Sequence, residues 1–270
     1  MSVLFTIFTP SFNRKDTLSR CYNSIIAQGI GSDEIEWLII DDGSTDGTSE
    51  LISNFRCEKL IDIVYFYRNN AGKQAAWNFA VNHARGKYFI GLDSDDALFP
   101  QSLILLKEKL KLIENEHSII GLRCSAINNE TGQLTSKFGS SDDMISSWFK
   151  EFASRNVGEK IDVFKTYALT QYLYPISPEV KFIPEVWFYS TISKHYDFLY
   201  VNNIVRVFYD ESEVNRLSKS SIKNNARGHF IARKSMLRNI PFIYFVKNPI
   251  GFLKTILRLL QVSFYLWRWK

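Results

Sequence analysis

Short apolar runs and longer amphipathic stretches take turns along the first 115 residues. β-rich runs occupy Val3–Phe8, Trp37–Asp41, Ile61–Tyr67 and Tyr88–Leu92. Around them apolar positions recur at helical spacing over about 15–28, 45–56, 72–85 and 100–114. Asp16 or Thr17, and Ser44 or Thr45, are candidate helix caps, and Pro100 suits a first helical turn. This β-α-β-α-β order predicts an α/β fold, a mostly parallel sheet with helices on both faces. From about residue 119 the pattern loosens into Ile119–Ile127, Ile161–Thr166, Phe182–His195 and Leu199–Tyr209. These runs predict further strands and irregular loops over the same sheet edge. The Ser/Lys/Asn-rich stretch 215–228 reads as a connector.

Ligands of parallel α/β sheets bind beyond the carboxyl ends of the strands, so the strand tips are the places to look for chemistry. The first run ends in Thr9-Pro10-Ser11-Phe12-Asn13-Arg14, the second in Asp41-Asp42-Gly43-Ser44-Thr45-Asp46-Gly47-Thr48. The third leads into Arg68-Asn69-Asn70-Ala71-Gly72-Lys73-Gln74-Ala75-Ala76-Trp77-Asn78, and the fourth into Asp93-Ser94-Asp95-Asp96. Carboxylates crowded at the tip of a buried strand repel one another and are costly to desolvate. A cation, or a ligand carrying one, relieves that repulsion.

These blocks resemble family 2 glycosyltransferases of the GT-A fold, over roughly residues 1–220. Residues 9–14 look like that family's first nucleotide-binding turn, 41–46 like its second, and 70–78 like its third. The common form of the third turn has Arg before the final Asn. Here that position is Trp77, and Lys73 follows Gly72, as in a subset of the family. The resemblance implies that Asp42 accepts a hydrogen bond from the base, that Thr9 and Asn13 line the nucleoside pocket, and that Asp93 binds ribose. It also implies that Asp95 ligates Mn²⁺ or Mg²⁺ bridging the diphosphate, with Lys73 as a candidate cationic contact. A hard divalent cation suits a leaving group that gains negative charge. The alternative for Asp42 is a turn aspartate before Gly43.

In the second half, Phe182-Ile183-Pro184-Glu185 sets one carboxylate in an apolar, aromatic context before Trp187, Phe188 and Tyr189. It is similar to the family's late acidic motif, with Val186 where a second acid is usual. Burial there raises a carboxyl pKa and suits Glu185 to general-base work; a helix-start glutamate is the alternative. Glu159 and Asp162 are reserve bases or acceptor contacts. Trp148 and Trp187 are candidates for stacking on sugar faces. The implied enzyme is an inverting, hexosyltransferase-like, metal-dependent glycosyltransferase. Its donor would be a nucleotide-diphosphate sugar, a UDP-sugar foremost, and its acceptor a saccharide or lipid-linked saccharide of bacterial-type surface polysaccharide. A sugar-phosphate nucleotidyltransferase would need glycine in residues 9–14, which hold none. A dinucleotide oxidoreductase would need Gly-x-Gly-x-x-Gly after a strand. A degenerate nucleotide-sugar-binding protein is the non-enzyme alternative.

Composition adds two constraints. Cys21, Cys57 and Cys124 have neither metal-ligand nor disulfide spacing, and the first residues lack signal-peptide features. Both point to a cytoplasmic setting. His83, His117, His195 and His229 are scattered without pairing. Charge is polarised: residues 1–213 carry 21 Lys and Arg against 28 Asp and Glu, net −7, whereas 214–270 carry 12 Lys and Arg and no acid. A polyanion follows as partner, nucleic acid or an anionic membrane face.

Residues 221–270 form a basic amphipathic extension to a catalytic domain of 1–220, itself divisible into 1–115 for the nucleotide-sugar and 116–220 for the acceptor. Lys254 and Arg258 share one helical face, leaving Leu253, Ile256, Leu257, Leu260 and Phe264 for an apolar one. No uncharged run reaches the roughly 18–20 residues of a bilayer span. The expectation is a helix lying in the interface of the inner face of the cell membrane, with no nucleic acid bound, since residues 1–213 are acidic. Packing on the enzyme's own core, or an oligomer contact, is the alternative.

Overall fold

In the computed structural model, residues 3–136, 142–155, 158–210 and 221–268 are described. The first half runs β1 (Phe5–Ser11), α1 (Lys15–Ile26), β2 (Ile35–Asp41), α2 (Thr48–Glu58), β3 (Asp62–Tyr67), α3 (Lys73–His83), β4 (Tyr88–Gly91), β5 (Ala97–Leu98) and α4 (Ser102–Lys111). There follow β6 (Ile119–Asn128), β7 (Met144–Ser146), α5 (Trp148–Ser154), β8 (Lys160–Lys165), α6 (Thr166–Leu169), α7 (Val186–Ile192) and β9 (Asp197–Phe208). The chain closes with α8 (Ala226–Asn239), α9 (Phe242–Lys247) and α10 (Pro249–Arg268).

One sheet runs through the molecule in the order β3-β2-β1-β4-β8-β6-β9-β5, with β7 on β9. Its first four strands are parallel, as the alternation predicts. β8 joins β4 and β6 antiparallel, and β9 returns parallel to β6. β1 and β2 are buried on both faces, which is why they read as unbroken apolar runs. Side chains alternate between two cores. Phe5, Ile7, Trp37 and Ile39 face α1, α2 and α4, whereas Phe8, Leu38 and Ile40 face α3 and α5 to α9.

Three helix starts depart from expectation. α2 begins at Thr48, whose N–H is accepted by Asp46 at 3.1 Å, while Ser44 lies outside the helix and accepts the Asn13 N–H at 2.8 Å. α1 carries no side-chain cap; Thr17 instead donates to the Arg14 carbonyl. Pro100 lies two residues before α4, which starts after Gln101 in a left-handed conformation. Residues 226–228 of the expected connector already belong to α8, and 215–220 lie outside the described residues. α8 packs on α7 and on α10.

Candidate active site

The tips of β1, β2 and β4 and the start of α3 meet at one edge, held by internal bonds. Asp42 is buried, and its two oxygens accept the N–H groups of Ala71 and Gly72, each at 2.8 Å. Asp41 likewise accepts Ser44 N–H at 2.7 Å and the Tyr65 hydroxyl at 2.8 Å. Asn13, at φ 53°, bridges the first two turns. Its N–H donates to Ser44, and its side-chain oxygen accepts Thr45 N–H at 2.8 Å. Asn13 and Asp42 both keep spare lone pairs on their side-chain oxygens.

Thr9 is a correction. Its side chain is fully buried and its hydroxyl accepts the Trp37 indole N–H at 2.9 Å. The two-residue period of β1 turns Thr9 toward Cys21 and α1, away from Phe8 and Pro10, which line the cleft. Thr9 supports the turn from behind.

α3 holds the second half over this edge. Gly72 adopts φ 95°, and a Cβ there would stand 2.4 Å from the Lys181 carbonyl oxygen, so only glycine admits the 181–185 loop. Gln74 donates to the Ile183 carbonyl at 2.9 Å, and Asn78 exchanges two 2.8 Å bonds with the Tyr174 backbone. The third motif thus positions Glu185.

Between these layers lies a cavity of about 120 Å³. Its polar wall holds Lys73, Asp93, Glu159, Glu185 and Arg206; its apolar wall includes Phe8, Trp77 and Phe188. Trp77, where the common family pattern has Arg, is packed edge-on against Phe8, Phe89, Phe164 and Phe188. The cation beside Asp93 is instead Lys73, at 2.7 Å, with Arg206 at 3.8 Å. Burial would raise the Asp93 carboxyl; Lys73 and then Arg206 outweigh it and hold it below the usual range. Trp148 and Trp187 do not line the cavity: Trp148 stacks on Tyr189, and Trp187 lies tilted against Tyr174.

Arg206 is the residue that sequence reading missed. It projects from β9, pairs tightly with the buried Asp96, and reaches Glu159 at 3.5 Å. Burial pushes Asp96 up to about 7 against the pull of Arg206, while Arg206 is held firmly charged by Asp96 and Asp93 despite its own burial. A lone arginine on a β-strand carries no local signal of this role.

Glu185 sits just before α7, open to solvent through the cleft yet ringed by protein. Burial raises its carboxyl above the ordinary range, opposed first by Lys73 and reinforced by Asp93. Asp162 is already committed: both oxygens accept Arg123 Nη1 at 2.7 Å, and one accepts the Tyr189 hydroxyl at 2.6 Å. Glu159, exposed and salt-bridged to Arg206, remains the alternative carboxylate on this wall.

Asp95 lies at 3.8 Å from Arg14. Among the described residues no three His, Cys, Asp or Glu side chains form a metal cage. The Asp95 carboxylate is a hard oxygen donor that fits a cation taking its other ligands from a diphosphate and water, as Mg²⁺ sites commonly do.

A profile of the family described as Glycosyl transferase family 2 matches residues 6–170. An uncharacterized glycosyltransferase of Rickettsia felis is 36% identical over 128 residues, which are 47% of this chain and 20% of that protein. The poly(ribitol-phosphate) beta-N-acetylglucosaminyltransferase TarS of Staphylococcus aureus is 25% identical over 125 residues, 46% of this chain and 21% of TarS. The match thus spans about a fifth of the length of these curated relatives. The crystal structure of TarS 1–349 with UDP-GlcNAc aligns with a TM-score of 0.69 at 17% identity, over 88% of this chain and 67% of that one. The mannosyltransferase PcManGT of Pyrobaculum calidifontis, in complex with GDP-Man and Mn²⁺, aligns at 0.64 and 16% identity, over 98% and 74%. At such identities the likeness is one of fold, and the fold is GT-A.

Proposed function

This chain belongs to glycosyl transferase family 2, and from that premise we propose that it moves a sugar from a nucleotide-diphosphate sugar, a UDP-sugar foremost, to a saccharide hydroxyl with inversion. The observation that carries this reading is the cavity shared by Asp93, with its Lys73 and Arg206 partners, and Glu185. The nucleoside lies against Asn13 and Asp42, the ribose against Asp93, and the diphosphate toward Lys73. Glu185 takes the proton of the acceptor hydroxyl, whose oxygen forms a bond to the anomeric carbon. The carbon–oxygen bond to the diphosphate breaks, and the nucleoside diphosphate leaves with the electron pair. The raised carboxyl of Glu185 matches it to that proton transfer. Asp95 would hold Mn²⁺ or Mg²⁺, which when bound supplies positive charge to the leaving diphosphate. The name of TarS, with its poly(ribitol-phosphate), supports an acceptor of surface-polymer type. A melting-temperature screen against UDP- and GDP-sugars, with and without Mn²⁺, tests the donor. A rise with one of them is expected; no rise with any sinks the reading.

The same proposal seats α9 and α10 on an anionic membrane face. Phe242, Ile243 and Val246, then Leu253, Leu257, Leu260, Phe264 and Trp267, are all exposed and recur every three or four residues. α10 is long and apolar enough to cross a bilayer by length and composition. Lys254 and Arg258 in its middle, and its packing on α8, favour lying flat. The residues from 214 onward, cationic and without acid, are complementary to anionic headgroups. Full-length protein is expected to pellet with anionic vesicles at low salt and a chain ending at Asn239 to stay in solution; equal behaviour of the two refutes the membrane role.

A further inference from the structure

Between α8 and α10 lies a group of cations with no carboxylate. His229, Arg233 and Met236 recur along one face of α8, and Met236 meets Thr255 of α10 at 3.9 Å between sulfur and hydroxyl. Thr255 and Val262 are the buried positions of α10, and Arg258 stands beside them at the border with the Lys254 and Gln261 flank. Arg233 Nε, Arg258 Nη1 and His229 Nδ1 are all buried and have no hydrogen-bond partner among the described residues. Burial, then Arg233, then Arg258 lower His229 to about 4, and burial and Arg258 lower Arg233. No acid enters either balance. None exists in 214–270, and the α8 ion pair of Arg227 with Glu179 lies on the exposed side. Neighbouring guanidinium groups without a counter-charge are costly to bury, and an anion relieves them.

We propose that the seam where α8 meets α10, here called the crevice, binds a phosphate group, its oxygens taken by Arg233 and Arg258 with the neutral His229 as a third donor. The planar guanidinium fork suits phosphate oxygens, and two such groups match a phosphate carrying up to two charges. The apolar stripe of α10 runs on the far side of the Lys254 flank. A headgroup phosphate can therefore enter the crevice while acyl chains lie along Leu253, Leu257 and Leu260. Soluble phosphate is the other source, and only the choice of lipid rests on the membrane reading.

The test uses the full chain, a double Arg233→Gln/Arg258→Gln variant and a charge-matched control, Lys254→Gln/Arg268→Gln. Inorganic pyrophosphate, whose binding at the Lys73 edge is common to all three forms, should raise the melting temperature of the parent and the control by clearly more than that of the crevice variant. Without phosphate the crevice variant should melt at or above the parent, since it loses a repulsion. This also shows that it folds. On phosphatidic acid vesicles the crevice variant should lose about tenfold or more in affinity, well beyond the control. If pyrophosphate responds as stated while no form binds vesicles, the site stands and the membrane reading falls. If both doubles behave alike toward pyrophosphate and vesicles, net charge explains everything and the site is overturned.

Discussion

The edge around Asp93 and the crevice between α8 and α10 manage buried charge in opposite ways. At the edge the acids of the β4 tip meet cations of the chain itself: Asp93 has Lys73, Asp96 has Arg206, and Asp95 has Arg14 nearby. In the crevice Arg233 and Arg258 find no acid among the described residues. A paired cluster folds unaided and is ready to exchange a partner for a ligand. An unpaired one leaves its charge to be matched from outside.

The largest effect tests the edge. Glu185→Gln should lower transfer by about 10²–10⁴, the usual loss for a general base, while the donor-induced melting shift persists. The parent's acid limb should lie above the ordinary carboxylate range, because a raised Glu185 must be deprotonated to act. Loss of donor binding with turnover intact would make Glu185 a binding residue.

Arg206→Met breaks the pairing that defines the edge. Leaving Asp96 uncompensated should cost about 3–5 kcal/mol, the range for removing one partner of a buried ion pair, and a second change, Asp96→Asn, should restore part of it. In the parent, burial raises Asp96 to about 7. The folded chain then keeps a proton that the unfolded chain releases above about 4. Stability is therefore fully present below that point and lost as pH rises through 7. Asp96→Asn alone should flatten this slope in thermal melts; an unchanged slope would assign it elsewhere.

Asp95→Asn should remove about 10²–10³ of metal-supported transfer, the order of one lost electrostatic contact, and weaken Mn²⁺ in titration. Asp93→Asn should act chiefly on donor affinity, so equal metal titrations for the two variants would merge their roles. The smallest effect sharpens the other side. His229, lowered to about 4, contributes stability that is present above its unfolded value of about 6.5 and lost as pH falls through 4. Bound phosphate should raise that titration in an NMR measurement; Arg233→Gln/Arg258→Gln should raise it without phosphate.

The parallel half, its strand tips and the two-sided tail were legible in the chain alone. Alternation and helical spacing state which positions face a core, and carboxylates at a buried strand tip stand out against apolar neighbours. The resemblance of the strand-tip motifs to family 2 pointed to Asn13, Asp42 and Asp93, and the apolar context of Glu185 drew attention to that carboxylate. Other features depended on pairings between distant residues. The hydroxyl of Thr9 is used by Trp37 behind the strand, Asp162 is spent on Arg123, and Arg206 enters the site from the far end of β9. Likewise, 12 cations without an acid mark the tail as basic, but only the packing of α10 on α8 brings Arg258 beside Arg233. Periodicity is a property of neighbours along the chain, whereas ion pairs and clefts depend on which surfaces meet, and burial and register decide that.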